Sequence, residues 1–355
     1  MEPAMTVYIG VDYHPFQQTV AYADPVEGEV RYRQFQHTDK AAIKRFYREC
    51  GTDAVIGVEA TGSLQWFEKL LFDNKQKLLI GDPRLIRRVA LSRHKNDYRD
   101  AETILDLLMN SQFPAVKARS EKSQLVLQML NYRQSLVSAR TRIANQLQAF
   151  ARRKGLAKFR IKTKAAKQRL SEAAENGSET LMIDSRFLLY EEIDSQIAKI
   201  EAELEKAAEG DKQVMLLRTH SGIGLLTATA LVHTIGDVKR FRRKEEVVAF
   251  VGLDPLEHSS GERKRIGRIS KHGSRLLRCL LGQAAQTTRD RKIRQFYSQV
   301  SRRRGHATAK VAAARKLLVN CYVMLRDNIN YLEFIRRGEV GLCVGTREVK
   351  TIISS

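Results

Sequence analysis

The chain of 355 residues is short of acid, short of cysteine and without long apolar runs. Forty Asp and Glu stand against 62 Lys and Arg, a formal net charge of +22. That imbalance points to a polyanion as partner. No continuous apolar stretch reaches the roughly 18 residues needed to span a bilayer. A membrane partner is therefore not expected, and an anionic membrane surface ranks below nucleic acid. The first strand-like run begins almost at the N-terminus, so no signal-peptide pattern is expected. Four cysteines, Cys50, Cys279, Cys321 and Cys343, lie far apart and form no zinc spacing. They read as reduced thiols in a cytoplasmic protein. Internal repeats and low-complexity tracts are lacking as well.

The length suits two or three domains with real cores. Residues 1–112 read as α/β. Strand-like runs at Thr6–Asp12, Gln17–Ala23 and Val30–Gln36 precede a helix over Asp39–Cys50. A strand at Ala54–Glu59, a helix through Trp66 and Leu71, a strand at Lys77–Ile80 and helices near Leu85–Leu91 and Tyr98–Met109 follow. This is a ribonuclease-H-like order. Residues 113–210 change character. Leu125, Met129, Tyr132, Leu136, Ala139, Ile143, Leu147 and Phe150 recur at spacings of three and four, as do Ile193, Ile197, Ile200 and Leu204. Two long helices paired as an antiparallel coiled-coil hairpin fit that pattern. The connection between them carries Arg152, Arg153, Lys154 and Lys162 among many cations and no acid. It reads either as a solvated link or as a phosphate-binding arm. Residues 211–335 read as all-helical around a polar loop, with long helices near Arg275–Val300 and Ala307–Ile329. Residues 336–355 read as a fraying tail. The fold class is therefore α/β followed by all-α.

Four acids stand out. Asp12 ends the run Val7-Tyr8-Ile9-Gly10-Val11-Asp12, and Glu59 ends Ala54-Val55-Ile56-Gly57-Val58-Glu59. Asp97 and Asp100 sit three residues apart at an expected helix start. Two strand-end acids and an i, i+3 pair can converge, and ligands gather at strand ends in such sheets. Clustered carboxylates repel unless a cation neutralises them, and oxygen ligands select Mg²⁺ or Mn²⁺ over Zn²⁺. Asp97 taken alone reads equally as a helix cap. Arg84, Arg87, Arg88 and Lys95 just ahead of Asp97 could steer phosphates towards such a site, or form an ordinary solvated face.

Two further features are weaker. The turn Ser221-Gly222-Ile223-Gly224 between helices leaves backbone N–H groups where a phosphate can sit, which makes Gly222 and Gly224 candidates. The loop His258–Lys271 carries Ser259-Ser260-Gly261 beside Arg263, Lys264, Arg265, Arg268 and Lys271. A serine before glycine is usually a turn residue, and spacing alone favours that reading. His220 and His233 read as satisfied helix residues.

Taken together, these residues resemble one family. Tyr8-Ile9-Gly10-Val11-Asp12, Val58-Glu59-Ala60-Thr61-Gly62, Lys95-Asn96-Asp97-Tyr98-Arg99-Asp100-Ala101, Ser221-Gly222-Ile223-Gly224, Ala249–Pro255 and Ser259-Ser260-Gly261 occur in the order and near the spacing of the DEDD transposases of the insertion sequence 110 family, the RNA-guided bridge recombinases, and the related Piv-type invertases. The resemblance covers roughly residues 6–330. It implies a RuvC-like domain whose Mg²⁺-binding acids are Asp12, Glu59, Asp97 and Asp100, and a transposase domain whose nucleophile is Ser260, joined covalently to DNA. It also implies a structured guide RNA, target and donor DNA, and dimers that assemble into a tetramer with composite sites. Location in the bacterial cytoplasm, on the nucleoid when DNA is bound, is implied too. Asn96, Ser221 and Asp254 depart from the usual Thr, Pro and Thr without removing a catalytic group. A metal-dependent nuclease or resolvase, and an invertase without RNA guidance, are the alternatives.

Overall fold

Alternation along β1 (Tyr8–Tyr13) divides the first sheet into two faces. Ile9, Val11 and Tyr13 point to one core, with Ile43, Phe46, Tyr47, Phe67 and Leu71. Tyr8 and Gly10 point to the other, where Ala101 and Leu105 pack. A computed structural model describes residues 6–23, 28–61, 64–89, 96–116, 119–158, 160–257 and 266–338. The chain divides into two units, Met1–Ala118 and Arg119–Ser355.

The first unit is a mixed six-stranded sheet in the order β3-β2-β1-β4-β5-β6. β2 (Gln17–Ala23) and β3 (Val30–Gln36) extend β1 as an antiparallel meander, while β4 (Val55–Glu59) and β5 (Lys77–Gly81) are parallel to it. The short β6 (Ala115–Val116), which sequence pattern did not indicate, closes the far edge antiparallel to β5. Helices α1 (Lys40–Glu49) and α2 (Gln65–Asp73) cover the Ile9 face. α3 (Pro83–Val89) and α4 (Asp97–Met109) contribute Ile86, Ile104, Leu107 and Leu108 to the opposite face. α4 lies directly on the strands because Gly10 and Gly57 have no side chains. A Cβ on Gly10 would stand 2.2 Å from the Ala101 carbonyl oxygen, and one on Gly57 2.8 Å from Leu108 Cδ1.

The second unit is mostly helical. α5 (Glu121–Arg153) and α7 (Gly177–Glu209) form the expected hairpin. Arg133 meets Glu201 and Arg140 meets Asp194, whereas Lys154 meets Glu179, so the pairs run in opposite order along the two helices. The seam differs from the predicted one near its base. Val126 and Leu130 are buried there, while Leu125 and Tyr132 face outwards. The basic connection holds a helix, α6 (Lys164–Glu172), whose Ala166 and Leu170 close a small core with Leu147, Phe150, Ile183 and Phe187. α8 (Lys212–Arg218), α9 (Leu225–Ile235), a 3₁₀ turn (Val238–Arg240) and α10 (Lys244–Val251) lead into two strands. These are β7 (Pro255–Glu257) and β8 (Ile266–Ile269), an antiparallel pair that corrects the all-helical reading of residues 211–335.

The last long helices are also divided differently. α11 (Arg275–Thr287) stops where sequence periodicity continues, and α12 (Arg291–Asp327) begins after a gap of three residues. The hydroxyl of Thr288 accepts from Asp290 N, and the carboxylate of Asp290 accepts from Ile293 N, offering the backbone a local alternative to the helix. Apolar spacing runs through this bend, from Ala284 and Ala285 to Ile293, and so hides it. The one break that was expected, between Val300 and Ala307, is real but milder: Gly305, at φ 81°, kinks α12. A final helix spans residues 331–338. The predicted fraying tail beyond residue 338 lies outside the described residues.

Candidate functional site

Three of the four acids converge at one end of the first sheet. α4 runs opposite to β1, with Ala101 over Gly10, so its first turn reaches the level of Asp12. Asn96, not Asp97, caps the helix: its side-chain oxygen accepts from Tyr98 N at 3.1 Å. The Asp97 carboxylate is thereby left free to face the strand end. Asp100, in the same turn, lies close enough to Asp12 to act on it electrostatically.

His14 completes this group, and sequence reading missed it. A turn after β1, in which His14 N donates to Gln17 O at 2.9 Å, folds the imidazole back. Its Nε2 lies 3.0 Å from Asp12 Oδ2 and 3.5 Å from Asp97 Oδ1. One ligand atom from each of Asp12, His14 and Asp97 falls within 4.8 Å of the others. Gln17 Nε2 steadies Asp97 Oδ2 at 3.3 Å, and Gln17 Oε1 accepts in turn from Gln36. The sequence marks His14 only by its closeness to Asp12; the turn to Gln17, not strand alternation, brings the two side chains together.

Glu59 stands one residue beyond the registered pair Val11–Val58. Asp12 and Glu59 therefore leave neighbouring parallel strands at the same level, on the face shared with Gly10 and Gly57. Glu59 is held by Arg87, whose Nη2 lies 2.9 Å from Oε1.

Electrostatics in the cluster fit a cation. Burial pushes the Asp12 carboxyl up to about 6; His14 opposes the rise, and Asp100 and Asp97 add to it. Asp12 Oδ2 and His14 Nε2 are buried without an aligned hydrogen bond. A buried carboxylate oxygen in that position is costly unless a positive charge meets it. Carboxylate oxygens with one imidazole nitrogen could hold a hard or borderline divalent cation, and no cysteine is near among the described residues to favour a soft one.

In the second unit the serine loop is described only at its root. His258, Ser259, Ser260, Gly261, Glu262, Arg263, Lys264 and Arg265 lie outside the described residues, as does Lys95. The root itself is tightly built. A Cβ on Gly273 would stand 2.1 Å from Phe250 O, and one on Gly252 2.5 Å from His272 N. Gly252 ends α10 in the left-handed conformation, at φ 74°. Ser270 donates to the Asp254 carboxylate, and Lys271 N donates to Gly252 O at 3.2 Å. Arg278 Nη1 bridges Val251 O and Gly273 O. The chain thus enters and leaves the loop at one fixed place. Arg268 and Lys271 at this root are exposed.

The Gly222 turn is held from inside. Gly222 N donates to His220 Nδ1 at 3.1 Å, so that amide is not open to a phosphate. His220 is buried, packs tilted against Tyr331 at 4.1 Å between ring centres, and faces Asp290. Tyr331 donates its hydroxyl to the same carboxylate. Gly224 caps α9 with no side-chain hydrogen bond there. His233 contacts Ser123 through Nδ1. Several predicted phosphate contacts are engaged within the protein. Arg84 pairs with Asp82, Arg87 with Glu59, Lys154 with Glu175 and Glu179, and Lys162 with Asp194. Arg88, Arg152 and Arg153 are exposed.

Two transposase family models match the chain. Residues 9–153 match a transposase family model, that of the DEDD transposases of IS110. Residues 214–300 match the model described as transposase IS116/IS110/IS902 family. A probable family 20 transposase of Pseudomonas aeruginosa is 28% identical over 279 residues, covering 77% of this chain and 81% of that one. The transposase for insertion sequence element IS1111A of Coxiella burnetii is 29% identical over 238 residues, covering 63% and 64%. The transposase for insertion sequence element IS1328 of Yersinia enterocolitica is 27% identical over 264 residues, covering 71% and 78%. The chain carries both family domains, in order and together spanning most of its length, and it belongs to the IS110 family of transposases.

Proposed function

We propose that this protein cuts and rejoins DNA as the recombinase of a mobile insertion sequence, using a RuvC-like acid site and a covalent phosphoserine at Ser260. The observation that carries the reading is the convergence of Asp12, His14 and Asp97, with Asp100 in the same turn, at the end of a mixed sheet in a transposase-family chain. Asp12, Glu59, Asp97 and Asp100 would hold Mg²⁺ or Mn²⁺, with His14 beside them. When bound, the cation supplies Lewis-acid stabilisation of charge on the scissile phosphate. Gln17 fixes the Asp97 carboxylate. Ser260 Oγ forms the new phosphorus–oxygen bond as the DNA oxygen leaves; the serine proton is lost and the leaving oxygen gains one. The phosphodiester energy is kept in the adduct, so rejoining needs no external energy.

The division into an acid domain at 1–112, a hairpin at 113–210 and a serine domain at 211–335 goes with this reading. So do a structured guide RNA, pairing with target and donor DNA, and a dimer that assembles into a tetramer. The charge of +22 supports a large polyanionic load. If base pairing reads sequence, the protein has only to grip backbone and shape.

The test is to combine protein, Mg²⁺, the element's noncoding RNA and matched DNA, and map any denaturation-resistant adduct by peptide sequencing. An RNA-dependent adduct on Ser260 that is absent from Ser260→Ala carries the proposal. Cleavage with free ends and no adduct replaces it with a metal-dependent nuclease. An RNA-independent adduct replaces guidance with invertase-like recognition.

A further inference from the structure

α12 carries a cationic face that no acid among the described residues pairs with. From Arg291 to Arg326 the sequence has ten Lys and Arg and no Asp or Glu. In the segment before the Gly305 kink, Arg291, Gln295, Ser298 and Arg302 recur at spacings of four, three and four, which aligns them along one side of a helix. Lys292, Gln299 and Arg303 run beside them. All seven are exposed. The opposite side holds the helix down through Ile293 and Val300, both buried.

The state of these cations differs from that of five cations of the α5–α7 hairpin and its connection. There Arg133, Arg140, Lys154, Lys162 and Lys167 each meet a carboxylate. Among the described residues, none of Arg291, Lys292, Arg294, Arg302, Arg303 and Arg304 is ion-paired. The two acids that flank α12 are already engaged. Asp290 is buried beneath Tyr331 and caps the helix, and Asp327 is paired with Arg326 and Arg337. Six neighbouring cations at a helix surface repel one another, and no acid among the described residues offsets that repulsion.

We infer that the Arg291–Arg303 face of α12 is a docking surface for the sugar–phosphate backbone of duplex DNA. Charge complementarity fixes the partner as a polyanion, and the face offers Arg, Lys, Gln and Ser, side chains that bond phosphate oxygens. The face is straight and about 18 Å long at 1.5 Å per residue. It therefore runs beside about five base-pair steps of a stiff duplex, at 3.4 Å per phosphate on one strand. This inference rests on the transposase reading for the identity of the polyanion, but it needs neither the acid site nor Ser260.

The experiment measures binding of labelled duplexes of two unrelated sequences to the full chain by fluorescence anisotropy across a potassium chloride series. Asp12→Ala is present throughout so that no cleavage intervenes. With Arg291→Gln and Arg302→Gln together, the slope of log affinity against log salt is expected to fall by about two, equally for both sequences. Arg291→Lys with Arg302→Lys is expected to restore it, which separates lost charge from lost folding. Lys154→Gln with Lys162→Gln is expected to leave the slope almost unchanged. An unaltered slope in the first variant overturns the inference, as does a loss seen with structured RNA but not with duplex DNA. Failure to find a serine adduct would bear on the proposed chemistry and leave this result intact.

Discussion

Gly10 and Gly57 lie side by side on the adjacent parallel strands β1 and β4. Both face α4, and the missing side chains set how closely that helix approaches the sheet. The consequences for substitution differ. A Cβ on Gly10 meets backbone, the Ala101 carbonyl and the Leu105 amide, whereas one on Gly57 meets the ends of the Leu108 and Ile104 side chains. Gly10→Ala should therefore lower unfolding free energy by about 1–3 kcal/mol and push α4 outwards. Gly57→Ala should cost less. Because α4 carries Asp97 and Asp100, Gly10→Ala should also weaken metal binding, whereas a surface glycine such as Gly177 should tolerate alanine. Denaturant midpoints and metal titrations on the three variants would check this order.

His14 is the group in the acid cluster that sequence reading did not provide. Its contacts with Asp12 and Asp97 predict that His14→Ala reduces divalent-metal affinity by at least about tenfold. An imidazole nitrogen suits Mn²⁺ better than Mg²⁺, so the loss should be larger for Mn²⁺. Calorimetric titration of each ion into the DNA-free protein reads this directly. Equal affinity in wild type and variant would remove His14 from the site.

Arg87 predicts an effect of opposite sign. Its guanidinium occupies Glu59, yet it is largely exposed, so the pair is worth little. Arg87→Gln should free the carboxylate and raise metal affinity by no more than about fivefold, as expected from an exposed ion pair of up to about 1 kcal/mol. A fall in affinity would mean instead that Arg87 orients Glu59 for binding.

What could be read in the sequence follows from which signals are local. β2 and β3 coincide with their apolar patterns, and α4 begins within one residue of the predicted start. Asp12 and Glu59 were visible because strand-end acids follow unbroken apolar runs. His14 was not, since a lone histidine after a strand carries no periodic signal; only the turn to Gln17 brings it back. The break between α11 and α12 was hidden because Thr288 and Asp290 act through side-chain bonds to the backbone while apolar spacing continues. β7 and β8 are too short and too polar in context to alternate clearly. The outward turn of Leu125 and Tyr132 depends on which neighbour each helix face meets, a tertiary fact that spacing alone does not contain.

The buried trio of His220, Asp290 and Tyr331 yields a prediction about acid stability. Burial lowers the His220 pKa to about 4, with Asp290 opposing the shift. Burial also raises the Tyr331 pKa, and its bond to Asp290 raises it further, so the phenol stays protonated and donating. The ordinary histidine value is near 6.5. A group whose folded pKa is depressed stabilises the fold above its unfolded value, and that contribution is lost as pH falls towards the folded one. Stability of the second unit should therefore decline between about pH 6.5 and 4. The decline should be shallower in His220→Asn, whose side chain does not titrate, even if that variant is less stable at pH 8. Tyr331→Phe keeps the ring on His220 but leaves Asp290 with one donor fewer. It should raise the His220 pKa, because the carboxylate then relies more on the imidazolium. Urea midpoints at pH 8, 6 and 4.5 on the three proteins would check this, and equal slopes for wild type and His220→Asn would place the titrating group elsewhere. The same trio connects the Gly222 turn, whose amide His220 holds, to the residue just before α12, so loosening it should disturb both the turn and the start of the α12 face.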